Sequence, residues 1–272
     1  MMHLQKPSFE VSDIIKYIYD FSINACDCNR LILVQKYLVE SERKYDLLGR
    51  EGRLYEIEQT SKDLSIADFY DRYIVKKRPR RLFYNGVISL AQDGLCPYCK
   101  LYEADTIDHF LPKSRYGLLA VTPANLVPAC YKCNKLKDRF VVSVEKNLPH
   151  PYFDECSVVW LRAELRARED GLPYVVFVVD QDLNCALYPR IKFLFELFNL
   201  ALRYQLFAVI EMKSIKRFLE AEFSDRGIEG VRKWLSKFSE SLHGDDLNSW
   251  KAALYRCLAN STPYCSGLFK NW

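Results

Sequence analysis

Two Cys-x-x-Cys pairs set the strongest constraint on how this chain folds. Cys96 and Cys99 form the first pair, and Cys130 and Cys133 form the second. Two such pairs can place four thiolates around one ion, which is the closed tetrahedral arrangement of a structural zinc site. The alternative is four unrelated buried cysteines, but paired knuckles are a stronger signal of zinc than isolated cysteines. Four thiolates leave no open coordination position, so the predicted zinc would stabilise the fold without carrying out catalysis.

The composition indicates a folded cytoplasmic protein. The 272 residues are 49% hydrophobic, which is enough for one large domain or two smaller ones. The other six cysteines lie in apolar surroundings and the N-terminal segment lacks an apolar signal core, so we expect reduced thiols and not a secreted disulfide framework. No apolar run is long enough to span a bilayer. A net charge of +4 permits nucleic-acid binding without requiring it.

The spacing of apolar residues predicts helices on both sides of the cysteine-rich segment. We expect a helical N-terminal region at 1–94, a metal-organised module at 95–146 and a mainly helical C-terminal region at 147–272. The C-terminal region should contain one strong strand, at Tyr174–Asp180, because this run is rich in β-branched residues. The Pro-rich segment 147–152 marks the second boundary.

The finer pattern predicts further elements. We expect a turn at 27–30, a strand at Thr106–Phe110 and a loop at Thr122–Ala129. The remaining predicted helices cover 66–76, 80–91, 131–140, 158–168, 191–242 and 247–259.

Polar residues between the two cysteine pairs, and directly after the second pair, are of the types that a hydrolytic metal centre needs. Asp108 and the side-chain oxygen of Asn134 are hard ligands suited to Mg²⁺ or Mn²⁺. His109 titrates near neutrality and can accept a proton from water. In a strand, Asp108 and His109 would project to opposite sides, so that one could face the metal and the other the water. The simpler alternative is that Asp108 and His109 form a structural hydrogen-bonded pair.

The order and spacing of these residues resemble the HNH endonuclease family in its zinc-knuckle form. The resemblance covers 96–140 and rests on Asp108-His109, Pro112, Ser114, Asn125-Leu126, Cys130, Cys133, Asn134 and Lys137. It implies a ββα-metal finger, in which a hairpin carries the Asp-His pair and a helix carries the last ligand. It also implies that His109 is the general base, that Asp108 and Asn134 bind one catalytic Mg²⁺ or Mn²⁺, and that Asn125 supports the loop and orients His109.

The helical flanks together with the ββα finger predict an α+β, mostly helical protein. The resemblance implies that it hydrolyses phosphodiester bonds in nucleic acid, with DNA as the first candidate substrate and RNA as the second. The segments His150–Asp154 and Asn248–Trp250 are similar to stand-alone bacterial HNH proteins, some of which serve in anti-phage defence. The helical regions on either side of the finger would set substrate choice, oligomerisation or docking to a partner such as an ATPase, and the sequence does not choose among these. The competing hypothesis is an inactive zinc module that binds nucleic acid or a partner protein. The enzyme is favoured by the presence of Asp108, His109, Asn125 and Asn134, because an inactive module would be expected to have lost at least one of them.

Basic residues are the predicted nucleic-acid contacts. Residues 96–140 contain seven basic and four acidic residues, so a positive rim around the site would suit a polyanion. The basic run at 76–81 fits phosphate binding, although such a run can also be a solvated face. The candidate contacts are Lys113, Arg115, Lys132, Lys135, Lys137, Arg80 and Arg81.

Overall fold

Helices precede the cysteine-rich segment in a unit that spans Met1–Cys156, and a second unit spans Ser157–Trp272. The computed structural model describes residues 3–21, 25–60, 65–76, 81–167, 169, 173–181 and 185–271. The architecture is α+β and mostly helical, as the sequence predicts. The division into three segments at 1–94, 95–146 and 147–272 stays a prediction about domain organisation.

The first unit contains five α-helices and two strands among its described residues. They are α1 (Val11–Phe21), α2 (Ala25–Arg50), α3 (Ala67–Phe69), α4 (Leu82–Ile88), β1 (Thr106–His109), β2 (Leu126–Ala129) and α5 (Tyr131–Lys137). A π-helix, Tyr70–Val75, continues directly from α3. The predicted helix at 66–76 is therefore present, but most of it has π geometry. The predicted helix at 80–91 is shorter than expected and corresponds to α4.

The packing of α1 against α2 follows from apolar residues at helical spacing. Ile14 and Ile18 of α1 and Leu31 and Leu38 of α2 are completely buried in one core. The predicted turn at 27–30 is wrong, because these residues lie inside α2. Asp27 is buried there, where it accepts a hydrogen bond of 2.6 Å from Tyr73 and pairs with Arg72. Its carboxylate thus serves tertiary packing and not a local turn.

The β1–β2 hairpin and α5 form the predicted ββα finger, a name used below for residues 96–140. The strands are antiparallel, with Thr106 opposite Ala129 and His109 opposite Leu126. The predicted loop at Thr122–Ala129 is wrong for its second half, which is β2. Pro128 lacks an N–H group but is tolerated because a two-stranded sheet has only edge strands.

The second unit packs an antiparallel hairpin on long helices. Its elements are β3 (Leu161–Ala167), β4 (Pro173–Val179), α6 (Tyr188–Leu197), α7 (Leu200–Asp245), α8 (Trp250–Asn260) and α9 (Thr262–Cys265). The predicted helix at 158–168 is wrong, because residues 161–167 pair with β4 along their whole length. The described part of this region therefore holds two strands and not one. Gly227, with φ of 64°, kinks α7.

Within the described residues, no single helix is long and apolar enough to cross a bilayer, although the bent pair Tyr188–Leu197 and Leu200–Gly244 meets both criteria when taken together.

Candidate active site and metal centre

The four cysteines of the finger converge on one buried point. Their sulfur atoms all lie within 4.8 Å of one another, and Cys99 Sγ is 3.8 Å from Cys130 Sγ. Four zinc–sulfur bonds of about 2.3 Å in a tetrahedron give sulfur–sulfur edges of about 3.8 Å. All four side chains are buried. The cluster therefore fits structural zinc, with no position left open for a substrate.

Local backbone geometry aims the sulfurs inward. In the first knuckle, Lys100 takes a left-handed φ of 52° and donates its backbone N–H to the Cys96 carbonyl at 2.8 Å. In the second, Cys130 caps α5, and its sulfur accepts from the Cys133 backbone N–H at 3.4 Å. Hydrogen bonding from the Cys133 thiol, then from those of Cys96 and Cys99, lowers the pKa of Cys130. A thiolate, the form that binds zinc, is favoured there.

Asp108 lies on the inner side of β1 and is almost completely buried, at 2% exposure. Its carboxylate accepts a hydrogen bond from the Tyr98 hydroxyl at 2.9 Å. Lys137, on α5, places its Nζ 3.1 Å from Oδ1 and 3.0 Å from Oδ2. The carboxylate is therefore held in a fixed orientation by one neutral donor and one cation.

His109 is buried beside the carbonyl of Ala120, with its Nε2 2.9 Å from that oxygen. Because a carbonyl can only accept a hydrogen bond, Nε2 carries the proton and Nδ1 is the basic nitrogen. The imidazole also meets the Tyr70 ring edge-on at 4.4 Å between centroids. Burial, together with the nearby cations Lys113 and Lys137, lowers the pKa of His109 to about 3, although its hydrogen bond to Ala120 acts in the opposite direction.

Asn125 fastens the loop that follows His109. Its Oδ1 accepts from the Leu111 backbone N–H at 2.7 Å, and its Nδ2 donates to the carbonyls of Leu111 and Leu119 at 3.0 and 3.1 Å. Leu119 directly precedes Ala120, whose carbonyl holds the imidazole. Asn125 is completely buried. A substitution that removed these hydrogen bonds would leave the backbone groups of Leu111 and Leu119 unsatisfied and away from water, which would cost stability.

Asn134 lies in the middle of α5 and reaches β1. Its Nδ2 donates to Thr106 Oγ1 at 3.1 Å and to the Ile107 carbonyl at 3.2 Å. Thr106 Oγ1 itself donates to the Ala129 carbonyl, so both partners of Nδ2 act as acceptors. This fixes the orientation of the amide and leaves its oxygen available for a ligand.

Asp108 and Asn134 fit a divalent cation by the chemistry of their donor atoms. Carboxylate and amide oxygens are the ligands that Mg²⁺ and Mn²⁺ prefer. Lys137 Nζ lies within 3.1 Å of both carboxylate oxygens and 2.7 Å from the His109 carbonyl. Its ammonium is therefore the cation that contacts the Asp108 carboxylate. Asp138, the residue that follows α5, is exposed and lies at its C-cap.

The structure places the predicted nucleic-acid contacts in different environments. Arg115, Lys132 and Lys135 are exposed on the finger, whereas Lys113 is half-buried and paired with Asp71. Lys137 is instead fully buried against Asp108, away from the predicted positive rim. Arg81 stacks over the Tyr84 ring at 4.7 Å, and Arg80 lies outside the described residues.

Sequence reasoning missed three contributors to the site, namely Tyr98, Tyr70 and His150. Tyr98 donates to Asp108 and Tyr70 meets the His109 ring, but neither is among the predicted site residues. His150 is completely buried, with its Nε2 3.0 Å from the Tyr45 hydroxyl and its ring centroid 4.2 Å from that of Phe110. The one available signal was the Pro-rich context of His150, which we interpreted as a boundary.

Comparisons with known proteins identify what the finger and the chain are similar to. Residues 96–140 match the family model described as HNH endonuclease. The chain is also similar to protein ea31 of Escherichia phage lambda, with 27% identity over 263 residues that cover 85% of this chain and 87% of that protein. No solved structure matches the chain. The finger is therefore an HNH endonuclease domain whose four clustered cysteines fit its zinc-finger form.

Zinc content tests the cysteine cluster. Protein purified without chelator should contain about one zinc ion per chain, because one closed four-thiolate site binds one ion. Cys133→Ser should lose most of this zinc and unfold at a lower temperature, whereas Cys185→Ser, outside the cluster, should keep it. Elemental mass spectrometry gives the ratio. Absence of zinc from the unmodified protein, or full retention in Cys133→Ser, would contradict the assignment.

The low pKa of His109 predicts a specific acid sensitivity. Since the folded pKa of about 3 lies below the ordinary value of 6.5, the unfolded chain binds this proton first, and stability falls as pH drops from 6.5 towards 3. Between pH 6.5 and 4 this effect amounts to roughly 3 kcal/mol. His109→Gln, which retains a donor for Ala120, should remove that part of the pH dependence in urea unfolding experiments. An equal loss of stability between pH 6.5 and 4 in the unmodified protein and in His109→Gln would show that His109 is not held neutral by burial.

Proposed function

We propose that this protein is a metal-dependent endonuclease that hydrolyses phosphodiester bonds, with DNA as its substrate and RNA as the alternative. The HNH domain at 96–140 supports a nucleic-acid-related function. The observation that carries the catalytic proposal is the bond between His109 Nε2 and the Ala120 carbonyl, 2.9 Å long. It sets the tautomer in which Nδ1 can accept a proton from an attacking water.

His109 acts as the general base in this proposal. Its lowered pKa keeps the imidazole unprotonated at neutral and mildly acidic pH, so Nδ1 is free to accept a proton, and the negative charge of a bound phosphate would raise this pKa and strengthen the base. The Tyr70 ring and the Ala120 carbonyl restrict the orientation of the imidazole. A base that is fixed before the substrate arrives does not have to be ordered during the reaction.

Asn125 acts through the loop and not on the substrate. By holding the Leu119 carbonyl it fixes the backbone that presents the Ala120 carbonyl to His109. We therefore assign Asn125 as a positioning residue, in agreement with the role that the resemblance implies.

Asp108 and Asn134 would hold the catalytic Mg²⁺ or Mn²⁺, which when bound would stabilise the leaving oxygen and the added negative charge on the phosphate. The zinc cluster lies next to this pair, because Asn134 directly follows Cys133 in α5. We propose that zinc loss abolishes cleavage by displacing Asn134, although zinc itself contacts no substrate.

The exposed bases Arg115, Lys132 and Lys135 are the proposed phosphate contacts of the finger. Such contacts carry no information on base sequence, so the proposal includes no sequence preference.

We place the protein in the cytoplasm, in a phage-related role. Resemblance to stand-alone bacterial HNH proteins, some of which serve in anti-phage defence, supports an anti-phage effector. Docking to a partner such as an ATPase is proposed for the helical regions that flank the finger. The similarity to a protein of phage lambda over 85% of this chain supports a phage-related setting more generally.

A cleavage assay tests the proposal. The protein is incubated with plasmid DNA and, separately, with total RNA, in Mg²⁺ or Mn²⁺ and then with a chelator. Cleavage should require the divalent ion and should fall by about 100-fold or more in His109→Ala, because general base catalysis contributes about that much. His3→Ala is the matched control, since His3 is an exposed histidine outside the site.

Cleavage at the same rate in His109→Ala would overturn the catalytic assignment. A protein that retards nucleic acid in a gel but cuts none would favour the alternative, a non-catalytic zinc module. The burial of Asp108 against Lys137 is the observation that favours this second candidate.

A further inference from the structure

Lys137 is a lysine with no access to solvent, which is rare unless the ammonium is fully paired. Its Nζ contacts three oxygens, namely both oxygens of Asp108 at 3.1 and 3.0 Å and the His109 carbonyl at 2.7 Å. The contacts surround the ammonium with acceptors on β1. Lys137 therefore neutralises the Asp108 carboxylate.

The ammonium and the proposed metal share one carboxylate. Asn134 and Lys137 are three residues apart on α5, so their side chains lie on the same face of the helix. Both side chains contact β1, Asn134 at Ile107 and Lys137 at Asp108 and His109. A divalent ion held by the Asp108 carboxylate would have to use oxygens that Lys137 Nζ already contacts.

Electrostatics disfavours the presence of both cations on the Asp108 carboxylate. Charges of like sign a few ångströms apart in a buried site repel strongly, and one carboxylate cannot neutralise three positive charges. The Tyr98 hydroxyl, the other partner of Asp108, is neutral and can remain in place with either cation. Lysine has a flexible four-carbon chain, so its ammonium can move by rotation of the side chain alone.

We propose that Lys137 is an internal counter-ion that keeps Asp108 oriented in the metal-free protein and must withdraw before a divalent ion is coordinated. The inference depends on the metal site of the proposed function and adds a step to it. Metal entry and the release of Lys137 become one coupled event. The released ammonium then provides a mobile positive charge at the edge of the site, near the phosphate.

Mn²⁺ binding to the zinc-loaded chain, without nucleic acid, tests the competition. Titration followed by electron paramagnetic resonance should give a dissociation constant at least about ten-fold lower for Lys137→Met than for the unmodified protein, because the competing ammonium is gone. Lys146→Met, at an exposed lysine outside the finger, should bind as the unmodified protein does, and Asp108→Asn should lose the site. Unchanged or weaker binding by folded Lys137→Met would overturn the proposal.

A second measurement needs no substitution at Lys137. An amine-reactive reagent, read out by peptide mass spectrometry, should leave Lys137 unlabelled without Mn²⁺ and label it once Mn²⁺ is added, whereas Lys135 should react in both conditions. Continued protection of Lys137 at saturating Mn²⁺ would overturn the inference. Metal-dependent labelling of Lys137 without any cleavage would support this inference and contradict the proposed function. Cleavage with Lys137 still protected would support the proposed function and contradict this inference.

Discussion

The docking of α5 on β1 is the constraint on which the rest of the finger depends. It is made at both ends of a seven-residue helix that is too short to be stable alone. Cys130 and Cys133 fix its first turn to the first knuckle, and Lys137 fixes its last turn to Asp108. Asn134 lies between these attachments. The same contacts that give the helix its place therefore also determine where the proposed metal ligand lies.

A second set of contacts prepares the proposed base. The segment after β1 contains no extended strand or α-helix that would hold it, so Asn125 closes it with three buried hydrogen bonds. The carbonyl of Ala120 then selects the tautomer of His109, and burial keeps the imidazole neutral. Lys113 connects the finger to the π-helix, because its ammonium lies over the Tyr70 ring and pairs with Asp71. The N-terminal helices thus take part in shaping the site.

Much of the site could be predicted from sequence because its residues lie close together in the chain. The four cysteines and the strand carrying Asp108 and His109 needed only local spacing. The strand β3 could not be predicted in this way, because Leu-Arg-Ala-Glu-Leu-Arg-Ala is rich in helix formers and becomes extended only by pairing with β4. The burial of Lys137 was missed for a similar reason, since a lysine in a basic segment is ordinarily exposed and only the tertiary fold supplies Asp108 as its partner.

We infer that one small finger binds two metals with different tasks, a structural zinc ion and a catalytic divalent ion. Anomalous diffraction tests this most directly. Crystals of the zinc-loaded protein soaked in Mn²⁺ would be measured at the zinc and manganese absorption edges. We predict one zinc peak among the sulfurs of the four cysteines and one manganese peak between Asp108 and Asn134, with the Lys137 side chain withdrawn. A manganese peak elsewhere, or none while Lys137 still occupies Asp108, would contradict the claim.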